Sequence, residues 1–269
     1  MDLAWVQSYR CATGRTDLAL HPGERVLAGG TWLFSEPQPE VTGLVDLTAL
    51  GWPAWEPLPG GGLRMAATCP IGQVTQAPWP SPVLAGQCVD ALLMSFKVAS
   101  AATVGGNLCL GLPAGAMIAL TAALGGEVVL WTPDGGERRS PVPAFVTGPG
   151  TVDLRPGEVL RAVDLPGPAL HEPTAVRREA LTAYGRSAAL VIGRRTPEAL
   201  LLTLTASLPR PVVLSLPVTA SEAQIHAAVA GAGAATGWYD DPHGAPDWRA
   251  AVTALLALEV AAELAGVAA

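Results

Sequence analysis

Residues 100–116 read "SAATVGGNLCLGLPAGA". An apolar run leads into Thr103 and Val104, then the pair Gly105–Gly106, then Asn107. Residues 26–33, "VLAGGTWL", repeat the pattern with Ala28, Gly29, Gly30, Thr31, Trp32 and Leu33. Glycine has no Cβ and tolerates positive φ. Consecutive amides around such a bend can face one concavity and hold phosphate oxygens. A helix opening just afterwards adds a partial positive charge. Thr31, Thr103 and Asn107 offer side-chain hydrogen bonds. The two turns are therefore expected to converge on one anionic ligand. A pyrophosphate suits them, because oriented dipoles neutralise it without lysines. Neither turn is a G-x-G-x-x-G fingerprint or a nucleotide P-loop.

The 269-residue chain is long enough for one or two domains with a sizeable core. Half of it is apolar and only 14% charged, which implies an extensive interior or subunit contacts. A net charge of −7 argues against a nucleic-acid surface. All but one of its 16 basic residues are arginine, and the exception is Lys97. The start, "MDLAWVQSYR", lacks a continuous apolar segment, and the most apolar later stretch is broken by Glu259 and Glu263. A cytoplasmic protein with no membrane span is expected.

Along the chain, residues 24–34 predict a strand, a tight turn and a helix start. Strands are expected at 41–47 and early in 60–74, where a helix start follows. Apolar spacing over 82–96 predicts a helix, and 112–124 predicts another with Pro113 in its first turn. Residues 126–142 predict a hairpin around Asp134–Gly135, and 157–165 a strand with Glu158 and Asp164 at the surface. The Pro-rich stretch 166–175 is expected to be a linker. Beyond it come strands at "AALVIGRR" and "RPVVLSLPV", a helix capped by Ser221, a polar insert "WYDDPHGAPDW", and a terminal helix with Asp247 as a candidate cap.

Five stretches occur in one order: "RVLAGGTWLF", "GLVDLTAL", "GGLRMAATCPIGQV", "ALLMSFKVASAATVGGNLC" and "FVTGPGTVDLRPGEVLRAVDLP". Together they resemble the FAD-binding medium subunit of molybdenum hydroxylases of the xanthine dehydrogenase and aerobic carbon monoxide dehydrogenase type. The resemblance covers about residues 18–200, and the remainder resembles that subunit more loosely. It implies an α+β chain: a vanillyl-alcohol-oxidase-like (PCMH-type) FAD-binding fold of two αβ lobes, 1–57 and 58–168, followed by a C-terminal α+β domain, 169–269. It also implies that Ala28–Leu33 and Thr103–Asn107 grip the FAD diphosphate. Leu160 and Arg178 are carried over as further cofactor contacts, with Arg177 an alternative to Arg178. Lys97 is either a solvated helix end or a neighbour of the flavin or phosphates.

The resemblance further implies a flavin-containing oxidoreductase subunit. Electrons would come from [2Fe-2S] clusters on a small partner and a molybdenum cofactor on a large one. They would leave for NAD, oxygen or a quinone. No catalytic acid or base is required of this chain, because the chemistry is the cofactor's. The sequence departs from the family where an aspartate associated with the FAD ribose is usual: Gly115 or Ala116 stands there. Trp32 replaces the usual Asp after the first turn, and Gly185-Arg186-Ser187-Ala188 replaces an Asp-Ile-Ala-like run. A rival is therefore an FAD-deficient member acting as a scaffold or assembly protein. A further alternative is a self-sufficient flavin reductase or oxidase.

Other constellations favour ordinary structural roles. The histidines, at 21, 171, 226 and 243, have no metal-ligand spacing. Cys11, Cys69, Cys88 and Cys109 contain no C-x-x-C and are expected to be buried thiols. "YDDPHG" (239–244) is expected to be a turn before a helix, with a calcium site or a catalytic Asp–His pair as the alternative. Trp52, Trp55 and Trp79 are expected to be local packing or partner contacts. Ala101 and Ala102 are expected to leave room for a ring.

Overall fold

The computed structural model describes residues 4–266. The outer ends of the first and last predicted segments, 1–3 and 267–269, lie outside the described residues. Strands β1 (Ser8–Cys11), β2 (Glu24–Leu27) and β3 (Gly43–Asp46) form a small parallel sheet with β3 in the middle. "GLVD" suits that central place, because β3 is buried along its whole length. No helix forms at 31–36. Trp32 to Phe34 instead follow a turn closed by the Phe34 amide on the Gly30 carbonyl (2.9 Å).

The next sheet is antiparallel. It draws on β4 (Trp55–Pro57), β5 (Leu63–Ala66), β6 (Glu127–Trp131) and β7 (Glu137–Pro141). Strands β8 (Val146–Gly148) and β9 (Thr151–Val152) pair separately, and β10 (Val159–Leu165) completes the order β4-β5-β10-β6-β7. Its helices are α1 (Val83–Asp90), α2 (Phe96–Ala101), α3 (Val104–Leu110), α4 (Ala116–Ala123) and α5 (Val142–Phe145). A short α6 (Gly167–His171) occupies the expected linker. The periodicity over 82–96 breaks at Leu93, whose φ is 51°, and Ser95 then caps α2. Pro113 precedes α4 instead of opening it, since Gly115 is the N-cap. Every residue of α4 is buried, as a helix apolar on all sides requires.

Strands β11 (Thr174–Glu179), β12 (Ala189–Arg195), β13 (Ala199–Thr205) and β14 (Val212–Pro217) form an antiparallel sheet in chain order. Helices α7 (Glu222–Thr236) and α8 (Pro246–Ala265) follow. One face of this sheet packs on α7 and α8 through Val191, Leu202, Val229 and Val260. The other, with Leu190 and Ile192, joins the core around α4. The sequence expectations omitted β11 and β13. Ser221 caps α7 in a reciprocal capping box with Gln224, as expected. Asp247 does not cap α8; Ala245 holds that position.

Two surface expectations fail. Glu158 and Asp164 are 5% and 8% exposed. Glu158 takes both a 2.8 Å and a 2.6 Å bond from the Arg138 guanidinium. Asp164 is bonded by Arg64 (2.7 Å) and Arg139 (2.8 Å). β10 is the middle strand of its sheet and is buried on both faces, so Asp164 within it and Glu158 just before it are drawn inside with their arginines. Cys11 is also exposed, unlike Cys69 and Cys88, because it ends an edge strand.

The first two sheets meet across a seam built on Leu18, Val45, Leu47 and Val159. Trp52 and Trp131 cross there edge to face with centroids 5.2 Å apart. The Arg161 guanidinium sits 4.5 Å from the Trp52 centroid and bonds Glu56. Trp52 thus packs between the first two sheets.

Candidate functional site

The two glycine turns are neighbours. The first begins where β2 ends, at the C-terminal edge of a parallel sheet, where αβ folds characteristically bind ligands. An ideal Cβ on Gly29 would lie 1.8 Å from the Ala101 carbonyl oxygen. Ala101 closes α2, and Thr103, the N-cap of α3, follows two residues on. The bare backbone at 29 therefore lets the first turn dock on the approach to the second. Gly29 thus covers the Ala101 carbonyl, while the side chains of Ala101 and Ala102 are half-buried.

The other glycines divide by task. Gly30 has φ 67°, and its absent Cβ makes way for the Phe34 ring. Gly105 packs on the backbone of Ala67, where a Cβ would come within 2.7 Å of the Ala67 carbonyl oxygen. Gly106 differs. It is exposed, and an added Cβ would meet only the Thr103 hydroxyl, at 3.0 Å.

Hydrogen bonding is equally divided. At the second turn the amides are taken: Val104 by the Cys69 carbonyl (2.9 Å), Gly105 by that of Ala67 (2.9 Å), Gly106 by the Thr103 hydroxyl (3.0 Å) and Asn107 by the Thr103 carbonyl (3.0 Å). At the first turn, the amides of Gly29, Gly30, Thr31, Trp32 and Leu33 have no acceptor among the described residues. A run of free amides on a bend is an anion-binding concavity. The first turn thus supplies donors, while the second supplies a side-chain-free helix end with a favourable dipole.

Asn107 has a structural duty as well. Its Oδ1 accepts from the Met117 amide (3.2 Å), tying α3 to the start of α4. Gly115 is packed tightly: a Cβ there would lie 2.7 Å from Ile118 Cδ1 and 3.0 Å from Asn107 Oδ1. Ala116 is fully buried. A side chain at 115 would press on Ile118 and on Asn107 Oδ1, and one at 116 would point into the interior.

The remaining predicted residues are spread out. Lys97 is exposed on α2, with its ammonium 6.0 Å from the Phe96 ring centroid. The Leu160 side chain lies in the central core at 3% exposure, and its backbone is paired with Leu130. Arg178 donates to Ser187 Oγ (2.7 Å) and to the Gly185 carbonyl within its own hairpin. It lines a cavity of about 270 Å³ with Gln87, Asp90 and Ala91 of the α1 end, and hydrogen-bonds neither glycine turn. A larger cavity, about 560 Å³, lies between the second and third sheets and is lined by Arg139, Arg194 and Asp164. Its arginines are already paired with Asp164 and Glu172.

Asp46 is a further polar residue beside the first turn. It pairs in register with Leu27, the residue before the first turn. Its oxygens take the Tyr9 hydroxyl (2.6 Å) and the Thr48 amide and hydroxyl (both 2.7 Å). Burial alone would raise its pKa, but these bonds outweigh it and hold the carboxyl below its ordinary value. It stands at the C-terminal end of a parallel strand. Exposed aromatics surround the turns: Trp32, Phe34 and the 80% exposed Phe96. "YDDPHG" proves structural, since Asp241 pairs with the buried Arg249. Among the described residues no group of three or more His, Cys, Asp and Glu side chains is placed to hold a metal ion.

A parallel lobe whose end carries free amides, closed against a second glycine turn, defines a domain for a phosphate-bearing cofactor. The chain belongs to the family described as FAD binding domain in molybdopterin dehydrogenase, whose model matches residues 5–168. No curated protein matches the chain. Among solved structures it is similar to quinoline 2-oxidoreductase from Pseudomonas putida 86, at 21% identity and TM-score 0.78, covering 98% of this chain and 100% of that one. It is also similar to a carbon monoxide dehydrogenase from Hydrogenophaga pseudoflava, at 19% identity and TM-score 0.80, covering 96% and 98%. The carbon monoxide dehydrogenase from Oligotropha carboxidovorans gives 22%, 0.78, 97% and 99%. These likenesses establish the α+β, PCMH-type fold over nearly the whole chain. The residues fit FAD: free amides for a diphosphate stand beside a glycine-faced helix end.

Proposed function

We propose that this chain is the FAD-carrying subunit of a molybdenum hydroxylase complex. The observation that carries the proposal is the docking of Gly29 on Ala101, which sets a turn of unspent amides beside the α3 N-terminus. In this reading the amides of Gly29 to Leu33, with the Thr31 hydroxyl, bind the diphosphate. Gly106 gives it room, and Thr103, Val104, Gly105 and Asn107 hold the second turn in shape. Lys97, on the exposed face of α2, adds positive charge nearby.

FAD, when bound, supplies electron transfer both singly and in pairs. The chain's residues orient it and shield it from water. Partners would be a small subunit with [2Fe-2S] clusters and a large subunit with the molybdenum cofactor. One of the similar structures is a carbon monoxide dehydrogenase described by the state of its molybdenum cofactor, which supports such company. NAD, oxygen or a quinone would be the final acceptor. The division into 1–57, 58–168 and 169–269 belongs to the same reading. The sheets support it, although β4, at Trp55–Pro57, already pairs with the central sheet. A cytoplasmic location is proposed with it; among the described residues no helix is long and apolar enough to cross a membrane.

The test is the visible spectrum of the purified chain and its titration with FAD. One flavin per chain supports the proposal. A colourless chain that takes up no FAD overturns it in favour of a scaffold.

A further inference from the structure

Arg249, on α8, is 1% exposed and is among the largest fully buried side chains. A guanidinium in such a place is tolerated only when its donors are met. Nε donates to the Gly244 carbonyl (2.9 Å), one terminal nitrogen to the Ala206 carbonyl and the other to Asp241. The Tyr239 ring lies 5.2 Å from its Cζ. The polar insert of the sequence thus folds around one buried cation.

Ala206 is the informative partner. It follows β13 with φ 66°, a left-handed conformation that a residue with a Cβ rarely adopts. While Arg249 holds its carbonyl, its amide donates to the Pro113 carbonyl (2.8 Å). Pro113 lies in the loop joining α3 to α4. That loop is tightened by the Gly115 amide on Leu112 (2.9 Å) and by the Met117 amide on Asn107 Oδ1 (3.2 Å). A line of polar contacts therefore runs from α8 through Ala206 to the segment that holds the second glycine turn.

We propose that Arg249 is a positioning residue: by fixing Ala206 in its left-handed conformation, it sets the α3–α4 loop and hence the geometry of the FAD site. The consequence for FAD rests on the function proposed above; the consequence for the loop does not. Without Arg249, Ala206 relaxes to ordinary backbone and withdraws its donor from Pro113. Glycine at 206 adopts the same conformation unaided, so it should restore the loop.

The experiment uses the full chain and the variants Arg249→Met, Arg249→Lys and the double variant Arg249→Met/Ala206→Gly. Hydrogen exchange of the Gly115 and Met117 amides is followed in flavin-free protein, with the Val128 and Val129 amides of β6 as reference. FAD affinity is measured separately. Arg249→Met is expected to speed exchange at Gly115 and Met117 about tenfold relative to β6 and to weaken FAD about fivefold or more. Arg249→Lys, keeping charge and one donor, should fall between, and serves if the methionine variant does not fold. Ala206→Gly should recover most of both effects. Uniform acceleration across loop and β6, or no recovery with glycine, overturns the proposal. If the parent chain takes up no FAD, the functional assignment fails while the exchange experiment still decides the role of Arg249.

Discussion

Gly29 and Ala101 touch backbone to backbone: a methyl group on Gly29 would stand 1.8 Å from the Ala101 carbonyl oxygen. Residues distant in sequence thereby fix the distance between two turns. The same contact separates glycines that shape the protein from the one that faces its surroundings.

Substitutions should reveal that separation. Gly29→Ala forces backbone apart and is expected to cost about 1–3 kcal/mol of stability, as overpacking does, with loss of flavin binding. Gly106→Asp meets only the Thr103 hydroxyl and places an anion at a helix N-terminus, which the dipole favours. It should leave thermal unfolding nearly unchanged yet abolish flavin uptake by setting a carboxylate against the diphosphate. Thermal melts and flavin absorbance on both variants check this. Full flavin occupancy in Gly106→Asp would remove the second turn from the site.

Thr103 caps α3 by accepting from the Gly106 amide. Thr103→Val should cost about 1 kcal/mol, the usual effect of losing a cap, while Thr103→Ser retains most of the stability. Chemical denaturation measures both. Equal stability of the two variants would mean that the hydroxyl does not act as a cap.

Acid should unfold the protein through its paired carboxylates. The Arg10 guanidinium pulls Glu24 down to about 2, against the opposing effect of burial. Arg138 likewise lowers Glu158. Burial would raise Asp164, but the bonds from Arg64 and Arg139 outweigh it and lower it. Each folded value lies below the unfolded one. The stability these groups contribute is therefore complete above the ordinary carboxylate range, about 4 to 4.5, and is lost as the pH falls through the folded values. Melting temperature should hold near neutrality and fall from below about pH 4.5. Glu158→Gln should cost about 1.5–3 kcal/mol at pH 7, the range for losing a hydrogen bond to a charged group, since Arg138 keeps Asp153. Its deficit should shrink as the pH is lowered. A deficit independent of pH would contradict the assignment.

Thr253 is fully buried, and its hydroxyl has no hydrogen-bond partner among the described residues. Thr253→Val replaces that hydroxyl with a methyl of similar shape. A gain of about 1 kcal/mol in stability is expected, since an unmet buried polar group is a cost. A loss of stability in urea unfolding would show that the hydroxyl is satisfied.

Thiol labelling of the native protein should mark Cys11 and spare Cys69 and Cys88. Burial pushes both of the latter thiols up to about 12, so little reactive thiolate forms at pH 8. Native labelling at Cys88 at the rate of Cys11 would contradict the burial.

Much of this was legible locally. The strand at Gly43–Asp46, the hairpin around Asp134–Gly135 and the helix cap at Ser221 depend on residues close in sequence, so turn chemistry and periodicity announce them. The order of the glycine stretches likewise pointed to the family. Other features depended on neighbours that no local pattern encodes. Asp164 in β10 reads as a surface acid, yet Arg64 and Arg139 from other strands accompany it into the interior. The Leu160 side chain is in the core because its strand lies in the middle of the sheet.

By itself the sequence determined that two side-chain-free turns exist and that one phosphate-bearing cofactor suits them, because glycine's conformational freedom is a property of the residue. Only the tertiary structure decided which glycines serve the chain's own packing and which amides stay unspent. Those depend on acceptors such as the carbonyls of Ala67 and Cys69, and on the close approach of the Ala101 carbonyl to Gly29, all brought near by folding alone.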